Sequence, residues 1–194
     1  MLGALDVNPV VAWGKIAHLP MSLNMTLEIE RKFLIANDRW KTSIVRSIRI
    51  RDGLIASDKG NKARVRIANG LATIALKSRR RGSVRTEFEY AIPIADAEEM
   101  LRTMCEGNVL DKVRHLVSHA SDTWEVDVYE GLLDGIVLAE IELTDADQKL
   151  TLPDWIGGEV TADPRYKKIN MVAARTAKAL GREVSPKPLP ASTR

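Results

Sequence analysis

The sequence predicts an α+β protein built on a closed antiparallel β-barrel that has a charged lumen and helices packed on its outside. Two observations lead to this fold. Several segments alternate charged and large apolar residues with a period of two, which is typical of β-strands with two different faces. The polar positions of these segments are almost all charged, whereas a solvent-facing strand normally also contains Thr, Ser and Gln.

The first charged strand is predicted at residues 27–34, LEIERKFL. Alternation places Glu28, Glu30 and Lys32 on one face. The other face is apolar except for Arg31, which we expect to point out of the barrel without a catalytic role. Two carboxylates and an ammonium in such a row can hold a divalent cation beside an anion.

Further strands carry the same alternation, and the polar residues within each tend towards one sign. They are residues 64–67, 85–90, 124–128 and 139–143, with a shorter copy at residues 112–114. The Asn-Gly pair at residues 69–70 is the strongest hairpin signal in the chain. A two-residue loop there places Lys62, Arg64, Arg66 and Lys77 on one face, and such a row of cations requires an anion.

Two helices follow from capping signals. Residues 96–99, DAEE, form a capping box with Asp96 as the N-cap, and predict a helix from residue 97 to about 106, closed by Gly107 and containing Cys105. A second helix is predicted to open at Asp163-Pro164 and to end at Gly181. Its apolar stripe consists of Ile169, Val172, Ala173 and Leu180. Turns are expected at residues 52–53 and 58–61, and a charged hairpin loop at residues 77–82.

The length of 194 residues and the 45% of hydrophobic residues predict that the chain forms one domain with a normal core. We expect a loose extension at residues 1–22, the domain at residues 23–181 and a disordered tail at residues 182–194. The net charge of +3 does not favour nucleic acid, because the bases alternate with acids and only 5% of the residues are aromatic. No membrane span and no histidine metal motif is visible. A single cysteine fits a reducing compartment, so we expect a cytoplasmic protein, and a homodimer is possible.

The charged faces of these strands must lie where acids and bases can neutralise each other. Like charges side by side on a sheet destabilise it unless counter-ions are near. A barrel whose apolar core lies outside its wall, with all these residues in the lumen, meets this requirement. The rows contain the acids Glu28, Glu30, Glu87, Glu89, Glu125, Asp127, Glu140 and Glu142, and the bases Lys32, Lys62, Arg64, Arg66, Lys77, Arg85, Lys112 and Arg114.

In this order, the rows resemble the CYTH superfamily, the triphosphate tunnel metalloenzymes. Residues 28–32, EIERK, match the ExExK signature, and the resemblance extends from about residue 26 to residue 173. It implies an eight-stranded tunnel that binds a small anionic triphosphate with Mg²⁺ or Mn²⁺. Short bacterial members of this kind are associated with hydrolysis of inorganic triphosphate.

The resemblance also implies roles for individual residues. Catalysis would rest on Glu28, Glu30 and Lys32. The metal would be held by Glu28, Glu30, Asp127, Glu140 and Glu142, with Glu87 and Glu89 as additional helpers. Phosphate oxygens would be bound by Lys32, Arg64, Arg66, Lys77, Arg85, Lys112 and Arg114. Two departures from the family pattern, Lys168 in place of Asn and Asp52-Gly53-Leu54 in place of Gln-Gly-Tyr, are expected outside the charged rows.

The resulting hypothesis is attack of a metal-oriented water on a terminal phosphorus of tripolyphosphate, without a phosphoenzyme. Thiamine triphosphatase and adenylyl cyclase activities are alternatives within the family, but few aromatic residues flank the charged rows. A non-catalytic polyphosphate- or nucleotide-binding module and a plain β protein with a solvated charged face are alternatives of other classes.

Overall fold

The computed structural model of the protein describes residues 26–105 and 107–181, so the predicted N-terminal extension and C-terminal tail lie outside the described residues. The described chain contains two α-helices, α1 (Ile94–Thr103) and α2 (Lys168–Ala179), and three short 3₁₀ turns at Asp38–Ser43, Gly131–Leu133 and Pro164–Tyr166. Its strands are β1 (Thr26–Ile35), β2 (Ile44–Asp58), β3 (Asn61–Ala68), β4 (Leu71–Lys77), β5 (Val84–Ile92), β6 (Val109–His119), β7 (Asp122–Tyr129), β8 (Val137–Glu142) and β9 (Ile156–Glu159). None of the helices in these ranges has the length and hydropathy needed to cross a bilayer.

The sheet closes into a barrel because β1 pairs along both of its edges. The strand order β5-β4-β3-β2-β6-β7-β8-β1 returns to β5 through the β1–β5 pairing, and all pairings are antiparallel. Glu28 lies opposite Arg85 of β5, and Lys32 lies opposite Glu140 of β8. The short strand β9 pairs with the end of β1 as an addition to the barrel. The predicted closed antiparallel barrel of eight strands is confirmed.

The hairpin predicted at Asn69 and Gly70 is also confirmed. Both residues have positive φ angles, 51° and 75°, as a two-residue turn between twisted strands requires. Lys62 then lies opposite Lys77, and the adjacent β3 arginines point to the same face. The predicted row of four cations on one hairpin face is therefore present.

Most of the apolar core lies outside the barrel wall, as the alternation predicts. Ile29 and Phe33 of β1 pack there with Trp124 of β7, and the rings of Phe33 and Trp124 meet edge to face at 5.5 Å. A second outer cluster joins Val65 of β3 to Leu101 of α1. Burial of these side chains stabilises the fold by roughly 2 kcal/mol each.

Helix α2 covers one end of the lumen, where the lining changes from charged to apolar. Leu110, Tyr129 and Leu138 lie on the lumen side of their strands, two residues from Lys112, Asp127 and Glu140 respectively. They form a buried cluster with Met171 and Val172 of α2. Helix α1 packs on the outside of the barrel, so the two helices have different positions relative to the wall.

The predicted start of the first helix was wrong. Helix α1 begins at Ile94 after Pro93, and Asp96 lies inside its first turn instead of at the N-cap. A carboxylate is favoured anywhere in the first turn by the helix dipole, so the acidic cluster marks the start of a helix without fixing its first residue. Cys105 lies just after the helix and is buried. Residue 106 is outside the described ranges.

The second helix was also predicted too early. Asp163 caps only the 3₁₀ turn at Pro164–Tyr166, through a 2.9 Å hydrogen bond from the Arg165 amide, and α2 begins at Lys168. The buried residues of α2 are Met171 and Val172, whereas Ile169 and Leu180 are 40% and 63% exposed. Of the predicted stripe, Val172 is therefore buried as expected, whereas Ile169, Ala173 and Leu180 are exposed, and Leu180 lies just beyond the last residue of α2.

The turn predicted at Asp52-Gly53 does not exist, because both residues lie within β2. Glycine is required there by close packing and not by a turn. A Cβ atom at position 53 would lie 2.5 Å from Cδ2 of Leu101 and 2.6 Å from Sγ of Cys105. Gly53 thus lets the end of α1 approach the barrel wall.

We expect Gly53→Ala to lower the free energy of unfolding by about 1–3 kcal/mol, because the new methyl group overpacks the interface with α1. Gly158→Ala is the matched control, since no atom lies within 4 Å of a Cβ at that position in β9. The control should change stability by less than about 0.5 kcal/mol. Urea unfolding of the three proteins measures both values, and equal stability of the two variants would contradict the packing role of Gly53.

Candidate active site in the barrel lumen

A cavity of about 960 Å³ occupies the lumen, and all eight barrel strands contribute to its lining. All but two of the site residues predicted from the sequence line it. The two exceptions are Lys112 and Asp127, which are fully buried in the wall directly beside it. The predicted residues are therefore brought together at one place in the fold.

Glu28 is the centre of one group of charges in this cavity. Arg85 donates two hydrogen bonds to its carboxylate, at 2.6 and 2.7 Å, and Nζ of Lys77 lies 3.1 Å from Oε2. Burial alone would raise the pKa of Glu28, but the hydrogen bond from Arg85 and the charge of Lys77 hold it well below its usual value. Glu28 is thus ionised at neutral pH.

Glu87 lies beside Glu28 and behaves in the opposite way. Its carboxylate accepts a 2.6 Å hydrogen bond from Lys77. Burial and a hydrogen bond shared with Glu28 nevertheless raise the pKa of Glu87. The two adjacent carboxylates have pKa values shifted apart, as expected when two like charges compete for the same cations.

A second group of charges lies deeper in the lumen around Arg114. Its guanidinium donates to Asp127 at 2.7 and 2.8 Å and to Glu140 at 2.9 Å. Lys32 contacts the other oxygen of Glu140 at 2.6 Å, and Lys112 is paired with Asp127. Burial, reinforced by the nearby charge of Lys168, lowers the pKa of Lys112 to about 7 in spite of the Asp127 charge.

The remaining predicted residues lie between or beside these two groups. Arg64 contacts Glu89 at 3.2 Å and Glu87 at 3.6 Å. Glu142 is exposed at the end of β8, opposite Glu30 of β1. Arg31 points away from the lumen, as predicted, and forms an ion pair with Glu159 on the outer surface.

The model of the CYTH domain family matches residues 26–173. The chain belongs to the CYTH family. A relative from Acetivibrio thermocellus, named inorganic triphosphatase, is 42% identical over 148 residues, which cover 76% of this chain and 94% of the relative. A second protein of that name, from Nitrosomonas europaea, is 33% identical over 144 residues, which cover 72% and 93%. The crystal structure of an inorganic triphosphatase superimposes with a TM-score of 0.56 at 30% identity, covering 76% of this chain and 95% of that one.

Two lumen residues of this CYTH domain were wrongly expected outside the charged rows. Asp52 is almost completely buried and accepts hydrogen bonds from Arg66 at 2.7 and 3.2 Å and from Lys168 at 3.1 Å. Burial alone would raise the pKa of Asp52, but the charges of Lys168 and Arg66 lower it well below its usual value. Alternation groups Asp52 with Ile48 and Ile50, and a face with two isoleucines is expected outside the barrel. Pairing of Ile48 with Arg114 of β6 shows that this face of β2 is instead the lumen side, so the sequence contained no signal for Asp52.

A third lumen residue, Arg80, comes from the loop between β4 and β5. The run at residues 77–82 was expected to be a charged hairpin loop, and the loop is present. Arg80 nevertheless turns into the cavity and donates a 2.6 Å hydrogen bond to Glu30. Loop residues do not alternate between two faces, so no pattern in the sequence distinguishes Arg80 from its neighbours Arg79 and Arg81.

Membership of the CYTH family implies a divalent metal, and the acids of the lumen fit one. Their carboxylate oxygens are the hard ligands that Mg²⁺ and similar ions prefer. Like-charged residues face each other across neighbouring strands, Glu30 opposite Glu142 and Glu125 opposite Glu140. Such pairs are unfavourable without a cation between them. In residues 26–105 and 107–181, no three His, Cys, Asp or Glu side chains converge on one point, and the acids are instead bound by arginine and lysine.

We expect Glu28→Gln to reduce the free energy of unfolding at pH 7 by about 2 kcal/mol, because it removes a buried carboxylate bound by charged donors. The folded-state pKa of Glu28 lies below its ordinary value of 4.5, so its contribution is fully present above pH 4.5 and is lost as the pH falls below that value. Urea unfolding at pH 7 and pH 3 should therefore show a smaller difference between wild type and variant at pH 3.

The matched control for this experiment is Glu98→Gln on the exposed face of α1. Its stability should stay within about 0.5 kcal/mol of wild type at both pH values. A destabilisation by Glu28→Gln that is equal at pH 7 and pH 3 would show that the ionised carboxylate is not the source of the effect.

Proposed function

We propose that this protein hydrolyses inorganic triphosphate with a divalent metal ion, and releases pyrophosphate and orthophosphate. The observation that carries the proposal is the matching of acids and bases within the one cavity of the barrel lumen. Arg85 and Lys77 neutralise Glu28, and Arg114 and Lys32 neutralise Glu140. A metal ion and a polyphosphate that bind together supply both signs of charge, so they can replace these internal pairs without leaving a buried charge unpaired.

We propose that the acids of the lumen hold the metal, Mg²⁺ or Mn²⁺. The acids concerned are Glu28, Glu30, Glu87, Glu89, Asp127, Glu140 and Glu142. When bound, the ion would polarise phosphate oxygens and lower the pKa of a coordinated water. The hydrogen bond from Arg85 keeps the pKa of Glu28 low, so its carboxylate is ionised at neutral pH and can bind a cation there.

The bases of the lumen would bind the phosphate groups. Arginines offer two parallel donors and a permanent charge, which suits phosphate oxygens, whereas lysines act as point charges. The proposed phosphate-binding residues are Lys32, Arg64, Arg66, Lys77, Arg85, Lys112 and Arg114. Their positions on several different strands would hold the chain of phosphates along the lumen, and that fixed position aligns the terminal phosphorus with an attacking water.

The lining of the cavity supports an inorganic substrate over a nucleotide or thiamine ester. Among the described residues that line it, Tyr166 is the one aromatic residue. A purine or a thiazolium ring would normally be bound by stacking on aromatic side chains. The two similar relatives named above also carry the name inorganic triphosphatase. The buried free thiol of Cys105 fits a reducing compartment, and we propose the cytoplasm.

The proposal predicts phosphate release from tripolyphosphate with Mg²⁺ or Mn²⁺, and a loss of at least about a hundredfold in kcat for Glu28→Gln. Thiamine triphosphate and ATP are assayed in parallel, with cyclic AMP measured as well as phosphate. Faster turnover of either organic substrate would overturn the choice of inorganic triphosphate.

One control variant and one contradicting outcome complete these assays. Glu98→Gln, outside the cavity, should keep wild-type kcat. Thermal stabilisation of wild type by tripolyphosphate without any phosphate release would identify a binding module instead of an enzyme, and would overturn the hydrolase proposal.

Neighbouring residues of β1 allow a sharper test, because Arg31 and Lys32 point to opposite sides of the barrel wall. Lys32→Ala should lower kcat/KM for tripolyphosphate by about a hundredfold, since it removes a cation that contacts Glu140 within the lumen. Arg31→Ala removes the same charge from the outer surface, and should change kcat/KM by less than about twofold.

Melting temperatures of both variants show whether the loss of activity follows the loss of structure. Equal loss of activity in the two variants, at similar melting temperatures, would contradict a lumenal site.

A further inference from the structure

Arg80 is the one arginine of the β4–β5 loop that is directed at the first charged strand. The loop backbone is fixed at its base by hydrogen bonds from Ser78 N to Thr86 O, at 2.9 Å, and from Arg81 N to Val84 O, at 2.8 Å. Arg79 and Arg81 are exposed, and Arg79 borders the cavity, whereas Arg81 does not. The side chain of Arg80 is 23% exposed and lines the cavity beside Glu30.

The contacts of Arg80 connect it to Glu30. Its Nη2 atom lies 2.6 Å from Oε1 of Glu30 and 3.8 Å from Oε1 of Glu28, and its Nη1 atom donates to the carbonyl oxygen of Ser83 at 3.0 Å. Arg85, the other guanidinium near Glu30, is 3.9 Å away and is already engaged with both oxygens of Glu28. Arg80 is thus the closer of the two guanidinium partners of Glu30.

This contact competes with the metal-binding role proposed for Glu30. A divalent ion bound to a carboxylate lies about 2.0–2.2 Å from its oxygen, within the space that a guanidinium at hydrogen-bond distance needs. The two positive charges would also repel each other strongly in a partly buried site. An ion that binds Oε1 of Glu30 therefore displaces Arg80 from that oxygen.

We propose that Arg80 is the counter-ion of Glu30 in the absence of ligands. The metal displaces Arg80 from Glu30, and the displaced guanidinium then binds a phosphate of the substrate. The inference rests on the proposed function. Arg80 remains at the cavity wall after displacement, because its backbone is anchored by the bonds of Ser78 and Arg81. A free guanidinium at a phosphate-filled cavity finds its new partner in a phosphate oxygen.

The exchange couples the two ligands. Metal binding alone requires breaking the contact between Arg80 and Glu30, and leaves the Nη2 atom of Arg80 without its carboxylate acceptor. When triphosphate is also present, the guanidinium regains a partner, so each ligand strengthens the binding of the other by the same factor. Arg80 therefore lowers the affinity for metal in the absence of substrate and raises the affinity for substrate in the presence of metal.

The test compares wild type with Arg80→Ala and with the control Arg81→Ala, which removes one cation from the same loop at a side chain that does not line the cavity. Titration with Mn²⁺, followed by the electron paramagnetic resonance signal of the free ion, measures metal affinity without substrate. Arg80→Ala should bind Mn²⁺ about fivefold more tightly than wild type. Arg81→Ala should stay within about twofold of wild type, and so should Arg80→Lys, which keeps the charge.

The second readout is the KM for tripolyphosphate at saturating Mn²⁺, which should rise about tenfold in Arg80→Ala and remain unchanged in Arg81→Ala. Unchanged or weaker Mn²⁺ binding by Arg80→Ala, or an unchanged KM, would overturn the exchange. The Mn²⁺ titration needs no turnover, so tighter binding by Arg80→Ala would support the displacement by metal even if tripolyphosphate proved not to be a substrate. Hydrolysis by wild type together with equal Mn²⁺ affinities would retain the proposed function and overturn the role of Arg80.

Discussion

The structure depends on the neutralisation of charge inside a closed wall. Pairing of β1 with both β5 and β8 places Arg85 opposite Glu28 and Glu140 opposite Lys32, so the strand pairing that closes the barrel also brings opposite charges together. Buried ions are costly unless each has a partner, and removing one member of such a pair leaves the other uncompensated. Closure and charge matching are therefore one requirement, and the same matched pairs are the groups that a metal and a polyphosphate can take over.

The architecture and the lumen residues could be predicted because a barrel strand obeys strict alternation. Once residues 28–32 are known to be extended, the side of the wall on which each side chain lies follows from its parity, and the Asn-Gly turn fixes the register of the next hairpin. The helix starts were predicted less well, because an acidic cluster is compatible with several first residues. Asp96 is favourable inside the first turn, and Asp163 caps a short 3₁₀ turn instead of α2.

The lumen residues that the sequence did not predict owe their position to tertiary structure. Asp52 lies on the same face of β2 as Ile48 and Ile50, and this face is turned towards the lumen. The arginines of β2 point outward, so the charge pattern of this strand is the reverse of that of the other strands. Lys168 reaches Asp52 across 116 positions in the sequence, only because α2 covers the end of the lumen. Arg80 belongs to a loop, where parity has no meaning. Asp52 of β2, Lys168 of α2 and Arg80 of the β4–β5 loop thus each contribute one charge to the lumen.

The two ends of the charge network differ in how readily they can exchange partners. Asp127 is fully buried and bound on both oxygens by Lys112 and Arg114, so any ligand that approaches it must break contacts from which water is excluded. Glu30, by contrast, has a close guanidinium partner that comes from a loop and is still reached by solvent. Exchange of charged partners is least costly where water can solvate the displaced group. Ligand exchange should therefore begin at Glu30, with the deep pairs around Arg114 keeping the wall intact while the first contacts are replaced.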